Sequence, residues 1–569
     1  MTNNTIATGE TVNLSSGEIL ATSNGNNTES CSCDLCQANS SLETNEGTIV
    51  VANRGSGNIS VQDEVTGELI RTVDLPVGEG DNPGEPMYVY NLTSTNEIVV
   101  DDRANNRVVF FDSTTFEVTG TVETGEGNFH MWASPQEDQL WVANDIDNTL
   151  TVIDPQAKAE ITRVALPDEI IGVDSLPHDV IIDPTGDFAY VTVFQNDNPD
   201  NDLLVKIDAN TFEILDTAEV GKDPHVSLNP ESNLLYVPAA DSSRIDVFDR
   251  RGTELVQVDS IEQPGAHGIE FSNDGSLIYT TNLPTGEPGN GESGLFVIDP
   301  LTNEIVGDVD GIDTSAPGSH NVWLNGEGDR LFLTHSGPEA TTVDVFSLED
   351  PTNPILETST DTNGLNPFGL AYAAPAAAEL QVGTEENDVL QGGLENDRIF
   401  GEAGEDIIEG NDGNDKLLGR QGADKLIGGN GNDVLIGGLQ NDALVGGAGD
   451  DLLIGVRVES STPGAGEIDY FAGGTKSDTF VLGDALEVYY DDGDGGSHGV
   501  HDLAVIRDFN ADEDVIRLHG NADNYSLQTV GSNTAIHYNV EGQISEVIGL
   551  VENTANLDIA GSAFEFTAV

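Results

Sequence analysis

The chain has 569 residues, of which 101 are Asp or Glu and 20 are Lys or Arg, so its formal net charge is −81. So few cations cannot assemble a basic patch, which excludes nucleic-acid binding as the default function, and no apolar run reaches the roughly 20 residues of a membrane-spanning helix. Three cysteines exclude a disulfide framework, and the acidic excess suits a salty or calcium-rich exterior, where counterions screen self-repulsion.

The first 45 residues are rich in Ser, Thr and Asn, a composition that favours a disordered tail. This tail holds every cysteine of the chain, Cys31, Cys33 and Cys36, within ESCSCDLCQ (29–37). Thiolates at this spacing suit Cu(I) or zinc, so the tail is either a metal-capturing motif or simply unstructured. Its first residues have neither a basic region nor an apolar core, so no ordinary secretory signal is predicted.

Residues 46–376 repeat with a period of 42 to 53 residues, and each repeat holds four short strand patterns. The third strand is the most regular, and it reads LTVIDP (150–155), LVKIDA (204–209), IDVFDR (245–250), LFVIDP (295–300) and VDVFSL (343–348). Four strands per unit and seven units predict a seven-bladed β-propeller. The repeats resemble the YVTN-type propeller family, as in FAYVTVF (188–194) and LIYTTNL (277–283).

The two ends of this region complete each other. A first strand in NPFGLAYA (366–373) has no strands after it, whereas TIVVANR (48–54), NISVQD (58–63) and ELIRTVDL (68–75) have no first strand before them. We expect these four strands to form one blade and to close the ring, which hides the strand edges that would otherwise aggregate.

One repeat position, at the opening of each first strand, is rich in histidine. It falls at Met87, His130, His178, His225, His267, His320 and Phe368, and it takes five of the ten histidines of the chain. Blade symmetry places equivalent residues in a ring around the central channel, where neutral imidazoles can hold copper or zinc. His335, in LTHSG (333–337), follows the second strand of the last such blade and is a candidate further ligand.

Two alternatives to a metal site stay open at this point. Duplication copies whatever residue stands in the ancestral repeat, so each histidine would then only hydrogen-bond the backbone of a neighbouring blade. Seven-fold spacing would also hold the ring too open for one ion to touch more than about two or three nitrogens.

A shorter repeat occupies residues 379–481, where an aspartate recurs every nine residues with an aliphatic residue two places later, as in GGNGNDVLI (428–436). The aspartates are Asp388, Asp397, Asp406, Asp415, Asp424, Asp433, Asp442, Asp451 and, after an interruption near 455–463, Asp469 and Asp478. Glycine-rich turns at this period predict a parallel β-roll with two units per coil. Stacked carboxylates then require a cation, and a hard, oxygen-seeking ion such as calcium fits.

The segment 382–454 resembles the RTX nonapeptide repeats of calcium-binding proteins exported by type I secretion. In that family the glycine-rich turns supply backbone carbonyls and the sixth-position aspartate supplies the carboxylate, which implies such roles for residues such as Gly428 and Asp433. Glu395 and Gln440 replace the third glycine of their units, so these turns are expected to bind calcium weakly or not at all.

Residues 482–569 are predicted to form a β-rich C-terminal cap, with strand-like alternation in LAVIRDF (503–509) and DVIRLHG (514–520). The cap resembles the terminal region of cyanobacterial RTX proteins, a family that carries an uncleaved export signal at its C-terminus. The tail NLDIAGSAFEFTAV (556–569) is poor in cations and ends in apolar residues, as such signals often do. The resemblance implies the type I secretion machinery as a partner and an extracellular or cell-surface location.

The sequence thus predicts an all-β chain with a disordered tail (1–45), a seven-bladed β-propeller (46–376), a parallel β-roll (379–481) and the cap. The primary functional hypothesis is a secreted calcium-binding protein whose roll folds only outside the cell, where calcium is plentiful. The propeller would carry the specific activity. It is either a copper or zinc centre with oxidoreductase chemistry, or a non-enzymatic module that binds an extracellular polysaccharide or cell-surface protein, or a lactonase-like hydrolase.

Overall fold

The structure is a computed structural model that describes residues 47–172, 175–196, 198–229, 232–283, 294–307, 311–374, 380–458, 460, 462–492, 501–540 and 544–567. These residues belong to one compact unit, Asn45–Val569. Cys31, Cys33 and Cys36 lie outside the described residues, so the metal-capturing motif of the tail stays a prediction. Among the described helices, none has the length and hydropathy needed to cross a bilayer.

The first part of the described chain consists of seven antiparallel sheets. The strands of the first four sheets are β1 (Thr48–Asn53), β2 (Asn58–Asp63), β3 (Leu69–Asp74), β4 (Pro86–Leu92), β5 (Glu97–Asp102), β6 (Arg107–Asp112), β7 (Val118–Glu123), β8 (Asn128–Ala133), β9 (Leu140–Asn144), β10 (Thr149–Asp154), β11 (Ala159–Ala165), β12 (Leu176–Ile182), β13 (Phe188–Phe194), β14 (Asp202–Asp208) and β15 (Ile214–Val220). Those of the next three are β16 (Ser227–Leu228), β17 (Leu234–Ala239), β18 (Arg244–Asp249), β19 (Val256–Glu262), β20 (Ala266–Phe271), β21 (Ile278–Asn282), β22 (Gly294–Asp299), β23 (Glu304–Val306), β24 (Ile312–Asp313), β25 (Ser319–Leu324), β26 (Arg330–His335), β27 (Thr342–Ser347) and β28 (Ile355–Asp361). The short helices are α1 (Asp168–Ile171) and the 3-10 turns Glu79–Asp81, Thr93–Thr95 and Arg103–Asn105.

The inner strands of each sheet are apolar on both faces because neighbouring sheets cover both faces. Every side chain of β9 is buried. Its successive residues Trp141 and Val142 point in opposite directions and join two different hydrophobic cores. The outermost strand β11 is mostly exposed. This pattern is that of propeller blades stacked around an axis.

The strand β29 (Pro367–Ala373) closes the ring. It pairs antiparallel with β1, with Thr48 opposite Ala373 and Val50 opposite Ala371, so the first blade has the order β29-β1-β2-β3. The prediction that the two ends of this region share one blade is confirmed, and with it the seven-bladed propeller.

The second part of the described chain has strands that pair mainly in parallel. They are β30 (Leu380–Val382), β31 (Val389–Gln391), β32 (Arg398–Phe400), β33 (Ile407–Asp412), β34 (Lys416–Gln421), β35 (Lys425–Asn430), β36 (Val434–Leu439), β37 (Ala443–Ala448), β38 (Leu452–Val456), β39 (Ile468–Thr475), β40 (Thr479–Val481), β41 (Leu503–Ile506), β42 (Val515–His519), β43 (Tyr525–Val530), β44 (Asn533–Tyr538), β45 (Glu546–Val551) and β46 (Phe564–Thr567), with a 3-10 turn at Ala522–Asn524. Alternate strands join alternate sheets, and residues 18 apart face each other, as Leu417 faces Leu435. The predicted roll with two units per coil is confirmed.

The aliphatic residue of each nine-residue unit points between the two sheets. From the second unit onward these side chains are fully buried: Ile399, Ile408, Leu417, Leu426, Leu435, Leu444 and Leu453. Burying one such side chain stabilises the folded state by about 1.5–3 kcal/mol. Leu390 of the first unit stays half-buried, because no earlier coil covers it.

Both sheets of the roll continue past the predicted boundary at residue 481. One sheet runs from β30 through β40 to β42 and β46, and the other passes through β41 and β45 to the antiparallel strands β44 and β43. The interruption near 455–463 falls where β38 ends and before β39 begins. After it the parallel pairing resumes with a spacing of 27 residues, Leu444 opposite Phe471.

The roll packs against the propeller through some of the few cations in the chain. Arg420 donates hydrogen bonds to the carbonyl oxygens of Thr185 at 3.1 Å and Pro184 at 3.2 Å. Arg251 of the propeller forms an ion pair with Glu487, and Ala485 packs into the core of a blade beside Tyr236.

Candidate metal centres

The repeat aspartates form two hydrogen-bonded columns along the roll. The backbone N–H of each donates to the Oδ1 atom of the aspartate one coil further on, from Asp397 to Asp415 at 2.8 Å and from Asp415 to Asp433 at 2.8 Å. The column continues past the interruption near 455–463, because the backbone N–H of Asp442 donates to Oδ1 of Asp469 at 2.8 Å. From Asp406 onward, the Oδ1 atom of each column aspartate thus accepts from the preceding coil and holds the two coils in register.

The second oxygen, Oδ2, is buried without a hydrogen-bond partner in most of these aspartates. They are Asp406, Asp415, Asp424, Asp433, Asp442, Asp451 and Asp478. A Cβ added to Gly410 would lie 2.1 Å from the Oδ2 atom of Asp415 and 2.8 Å from the carbonyl oxygen of Gly428. Glycine is therefore required where carboxylate and carbonyl oxygens converge.

Unpartnered, closely stacked carboxylates are costly to ionise. Burial, together with carboxylates of neighbouring coils, raises the pKa of Asp415 to about 7, of Asp433 to about 8 and of Asp442 to about 10. A divalent ion would supply the missing positive charge, and converging carboxylate and carbonyl oxygens are the ligands that calcium prefers. The turns therefore fit calcium.

Protein donors close both ends of the columns. In the first coil Thr384 donates to the Oδ2 atom of Asp388, and Gly393 donates to that of Asp397. At the far end the hydroxyl of Tyr490 donates to the Oδ2 atom of Asp469 at 2.7 Å. Three of the ten predicted calcium aspartates therefore have a protein partner where the other seven have none.

The column also extends further than the repeat pattern predicted. Asp478 donates its backbone N–H to Asp514 at 3.2 Å, and the Oδ2 atom of Asp514 accepts from Asn510 at 2.7 Å. Asp514 lies 36 residues after Asp478, which is four nine-residue steps, but the intervening positions of that register hold Glu487, Gly496 and Val505. Because the run of aspartates stops at Asp478, the repeat did not reveal Asp514.

In the propeller, strand register separates one histidine from the other four. His178, His267 and His320 each directly follow the last residue that pairs with the second strand before an irregularity in register, which is Pro177, Ala266 and Ser319 respectively. His225 likewise follows Pro224, which pairs with Ala239. The prediction that five histidines are equivalent is correct for these four.

The predicted equivalence is wrong for His130. In that blade the corresponding paired residue is Asn128, opposite Asn144, so Phe129 takes the equivalent position and His130 stands one residue later. The rings confirm this geometry. Six aromatic side chains surround the axis in the order Phe129, His178, His225, His267, His320 and Phe368, with neighbouring centroids 4.0–5.9 Å apart.

The displaced His130 ring lies within this circle. Its centroid is 5.0 Å from that of His178 and 5.1 Å from that of His225, and the Tyr88 ring lies against it at 3.7 Å. One ligand nitrogen from each of His130, His178 and His225 lies within 4.8 Å of the others. The one-residue displacement thus brings three imidazoles to a spacing that a single ion can span.

Asp179 organises this triad. Its Oδ1 atom lies 2.9 Å from Nδ1 of His130 and its Oδ2 atom 3.4 Å from Nδ1 of His225. With its Nδ1 proton donated to Asp179, His130 keeps a lone pair on Nε2, which is buried without a hydrogen-bond partner. A carboxylate that orients a histidine in this way is the usual support of a metal ligand.

Burial favours the neutral form of His130 and His178. It lowers the pKa of His130, and, together with the neighbouring imidazoles, it lowers the pKa of His178 well below 6.5. Burial alone would raise the pKa of Asp179, but the imidazoles of His130 and His225 hold it well below the usual range. A neutral imidazole beside an ionised carboxylate is the state that binds a transition metal.

The three predicted histidines outside the triad, His267, His320 and His335, have other partners. Nε2 of His225 lies 2.9 Å from Nε2 of His267, and Nδ1 of His320 accepts from Asn321 at 2.8 Å. His335 is fully buried beside Asp344 at 3.0 Å, and among the described ring contacts none joins it to the channel histidines.

A cavity of about 80 Å³ lies beside the His130 and His225 rings. His130, Asp179 and Glu270 contribute to its lining, and burial raises the pKa of Glu270 to about 8. Sequence reasoning missed Asp179 and Glu270, although the acid directly after His178 is a signal that a search for oriented histidines could have used.

A parallel roll with ladders of buried aspartates, joined to a closed ring of seven blades, defines a calcium-binding repeat protein with a propeller. Residues 382–417 and 418–453 match the family of RTX calcium-binding nonapeptide repeats, and residues 25–263 match the family of the lactonase seven-bladed β-propeller. The chain therefore carries RTX calcium-binding repeats and a seven-bladed β-propeller.

Three solved structures are among those similar to the chain. A periplasmic gluconolactonase of Pseudomonas aeruginosa is 14% identical, with 58% of this chain and 99% of that chain covered and a TM-score of 0.46. A putative 6-phosphogluconolactonase of Bacteroides fragilis is 16% identical, with 59% and 99% covered and a TM-score of 0.44. Hydrazine synthase of Kuenenia stuttgartiensis is 20% identical, with 50% and 88% covered and a TM-score of 0.40. No curated protein matches the chain.

Proposed function

We propose that this chain is an exported protein whose roll folds on calcium outside the cell, and whose propeller binds a copper or zinc ion on its axis through His130, His178 and His225. The observation that carries the metal proposal is the convergence of three imidazole nitrogens within 4.8 Å of one another. Imidazole is a preferred ligand of both metals.

Three protein ligands would leave a coordination position open, as in catalytic rather than structural zinc sites. The cavity of about 80 Å³ that His130 and His225 line gives this position room for water or a small substrate. Bound copper would supply one-electron redox chemistry and bound zinc would polarise a substrate oxygen. Asp179 would hold His130 in the binding tautomer, and the ring of Tyr88 would fix the plane of that imidazole.

Metal analysis of the purified full chain tests this proposal, with copper and zinc supplied in turn. We expect about one ion per chain, which His178→Ala or His225→Ala removes. The matched control is His320→Ala, because His320 belongs to the same aromatic ring but not to the triad. Asp179→Asn should weaken binding about 10–100-fold while all three ligands remain. An ion count that these variants leave unchanged would overturn the proposal.

Export is proposed from the calcium repeats and the cation-poor C-terminal tail. The calcium-free roll would pass the exporter unfolded, and binding free energy would become folding free energy outside. Deletion of residues 556–569 should abolish transport by a type I exporter and leave the intracellular amount of the protein similar. Transport that continues without this tail would contradict the location of the signal.

Hydrolysis is the second candidate, favoured by the match of residues 25–263 to the lactonase propeller family. Glu270 lines the same cavity, and its pKa of about 8 suits a general acid or base near neutral pH. Glu270→Gln should then abolish hydrolysis of a lactone panel and keep the metal content. Activity lost with the metal in His178→Ala, but kept in Glu270→Gln, would favour metal chemistry instead.

A further inference from the structure

A second group of carboxylates lies in the C-terminal part, away from the nine-residue repeats. Carboxylate oxygens of Asp491, Asp492 and Glu546 lie within 4.8 Å of one another. Asp491 and Asp492 follow the buried pair of tyrosines that includes Tyr490, and Glu546 is the first residue of β45.

The topology explains why residues so far apart in the chain meet. Strands β41 and β45 run parallel, with Ala504 opposite Gly549, so both strands begin at the same edge of the sheet. Asp502 directly precedes β41, and Glu546 opens β45. The loop that carries Asp491 reaches the same edge.

Two carboxylates at this edge are buried among the described residues. Glu546 is 5% exposed, and its Oε1 atom is buried without a hydrogen-bond partner. Asp502 is 2% exposed, and its Oδ2 atom is likewise without a partner. Burial and the nearby carboxyl group of Asp491 raise the pKa of Glu546 to about 8, and Asp492 and Asp502 act in the same direction.

We propose that Asp491, Asp492 and Glu546 bind a divalent cation, calcium by the chemistry of the donors, at a site separate from the repeat turns. An all-oxygen, carboxylate-rich set selects a hard cation over a transition metal. The ion would neutralise a cluster that cannot ionise fully by itself, and it would tie the loop after Tyr490 to β45.

The site has a structural consequence for the end of the roll. Tyr490 closes one aspartate column through Asp469, and Asp492 stands two residues further on. An ion between this loop and Glu546 would therefore hold the closing tyrosine in place and order β45 together with its antiparallel neighbour β44. The last coil would then depend on calcium twice, through the turns and through this site.

The test uses the full chain and two measurements: native mass spectrometry counts bound calcium ions, and hydrogen exchange reports protection at residues 546–551. Glu546→Gln and Asp492→Asn should each lose one calcium ion, or bind it at least about tenfold more weakly. They should also lose calcium-dependent protection of 546–551 while 416–456 keep theirs. The control Asp512→Asn removes an exposed acid of the same region and should change neither measurement.

An unchanged ion count in both variants overturns the assignment. Loss of an ion without loss of protection at 546–551 also overturns it, because the lost ion then belongs elsewhere. If Glu546→Gln does not fold, the exposed Asp492 decides the question, since Asp492→Asn removes a ligand from the surface without disturbing buried packing.

Discussion

The roll and the propeller both turn a sequence repeat into a candidate metal site, but they do so by different geometry. In the roll each coil is a translation of the last, so Asp415 and Asp433 have the same partners at the same distance of 2.8–2.9 Å. In the propeller the blades converge on one axis, and a one-residue difference in β8 moves His130 out of the repeat position and beside Asp179. Successive coils of the roll therefore repeat the same calcium site. In the propeller, one shifted residue among converging blades is enough to create a single site.

The largest expected effect is that removal of calcium unfolds the roll near neutral pH but leaves the propeller folded. Without calcium, the raised pKa values of about 8 for Asp433 and 10 for Asp442 lie above the value of about 3.9 for an unfolded aspartate. The folded roll then binds more protons than the unfolded chain, so its stability is greatest near pH 4 and is lost as pH rises toward 8. Hydrogen exchange in EGTA should show residues 416–456 protected at pH 4.5 and unprotected at pH 8, with calcium restoring protection at pH 8.

The propeller blades provide the internal control, because their cores contain no repeat aspartates and should stay protected in EGTA at both pH values. Full protection of 416–456 in EGTA at pH 8 would show that the columns do not need the ion.

The second-largest effect is a loss of stability confined to the propeller. Phe332 is fully buried beside Val51 and Val345 where the closing blade meets its neighbour, so Phe332→Ala should cost about 3–5 kcal/mol of propeller stability. Denaturant unfolding followed by the tryptophan fluorescence of Trp132, Trp141 and Trp323 should show the same loss with and without calcium. Ile355→Ala, at a site 58% exposed, should change stability by less than about 0.5 kcal/mol. A calcium-dependent loss for Phe332→Ala would mean that the two regions unfold together.

A residue exchange tests the one-residue displacement directly. The double variant Phe129→His, His130→Phe restores a histidine to the repeat position but removes the imidazole that Asp179 orients. It should weaken copper or zinc binding at least about tenfold, although the number of histidines is unchanged. Titration of the metal-free full chain measures this, and unaltered affinity would show that ring membership, rather than the position of His130, determines binding.

The smallest effect concerns the end of an aspartate column. Tyr490→Phe removes the donor to the Oδ2 atom of Asp469 and leaves that buried oxygen as unpartnered as the one in Asp433. In EGTA at pH 4.5 the roll should lose about 1 kcal/mol of stability. In calcium the variant should bind one additional ion, which native mass spectrometry can count. Asp433→Asn, in the middle of a column, should instead lose one ion.

The two repeat periods were enough to predict most of the fold from the sequence. A nine-residue period with buried aliphatic residues predicted the roll, and seven units of four strands predicted the propeller, including the blade that β1 and β29 complete. These inferences hold because each unit is a local pattern of turns and alternating burial. The domain boundaries, export and the tail cysteines stay predictions.

The candidate metal sites could be predicted from the sequence only in part. The sequence by itself determined ten of the aspartates in the columns, though not Asp514, and which blades carry histidine, because turn chemistry and periodicity act over a few residues. Only the tertiary structure decided that Asp397 and Asp469 are closed by protein donors and that His130 meets Asp179. It also decided that Glu546 meets Asp491. The His130–Asp179 and Asp491–Glu546 contacts join residues 49 and 55 positions apart, which no local pattern can show. The donors to Asp397 and Asp469 depend on how the first and last coils end, which the nine-residue period does not show.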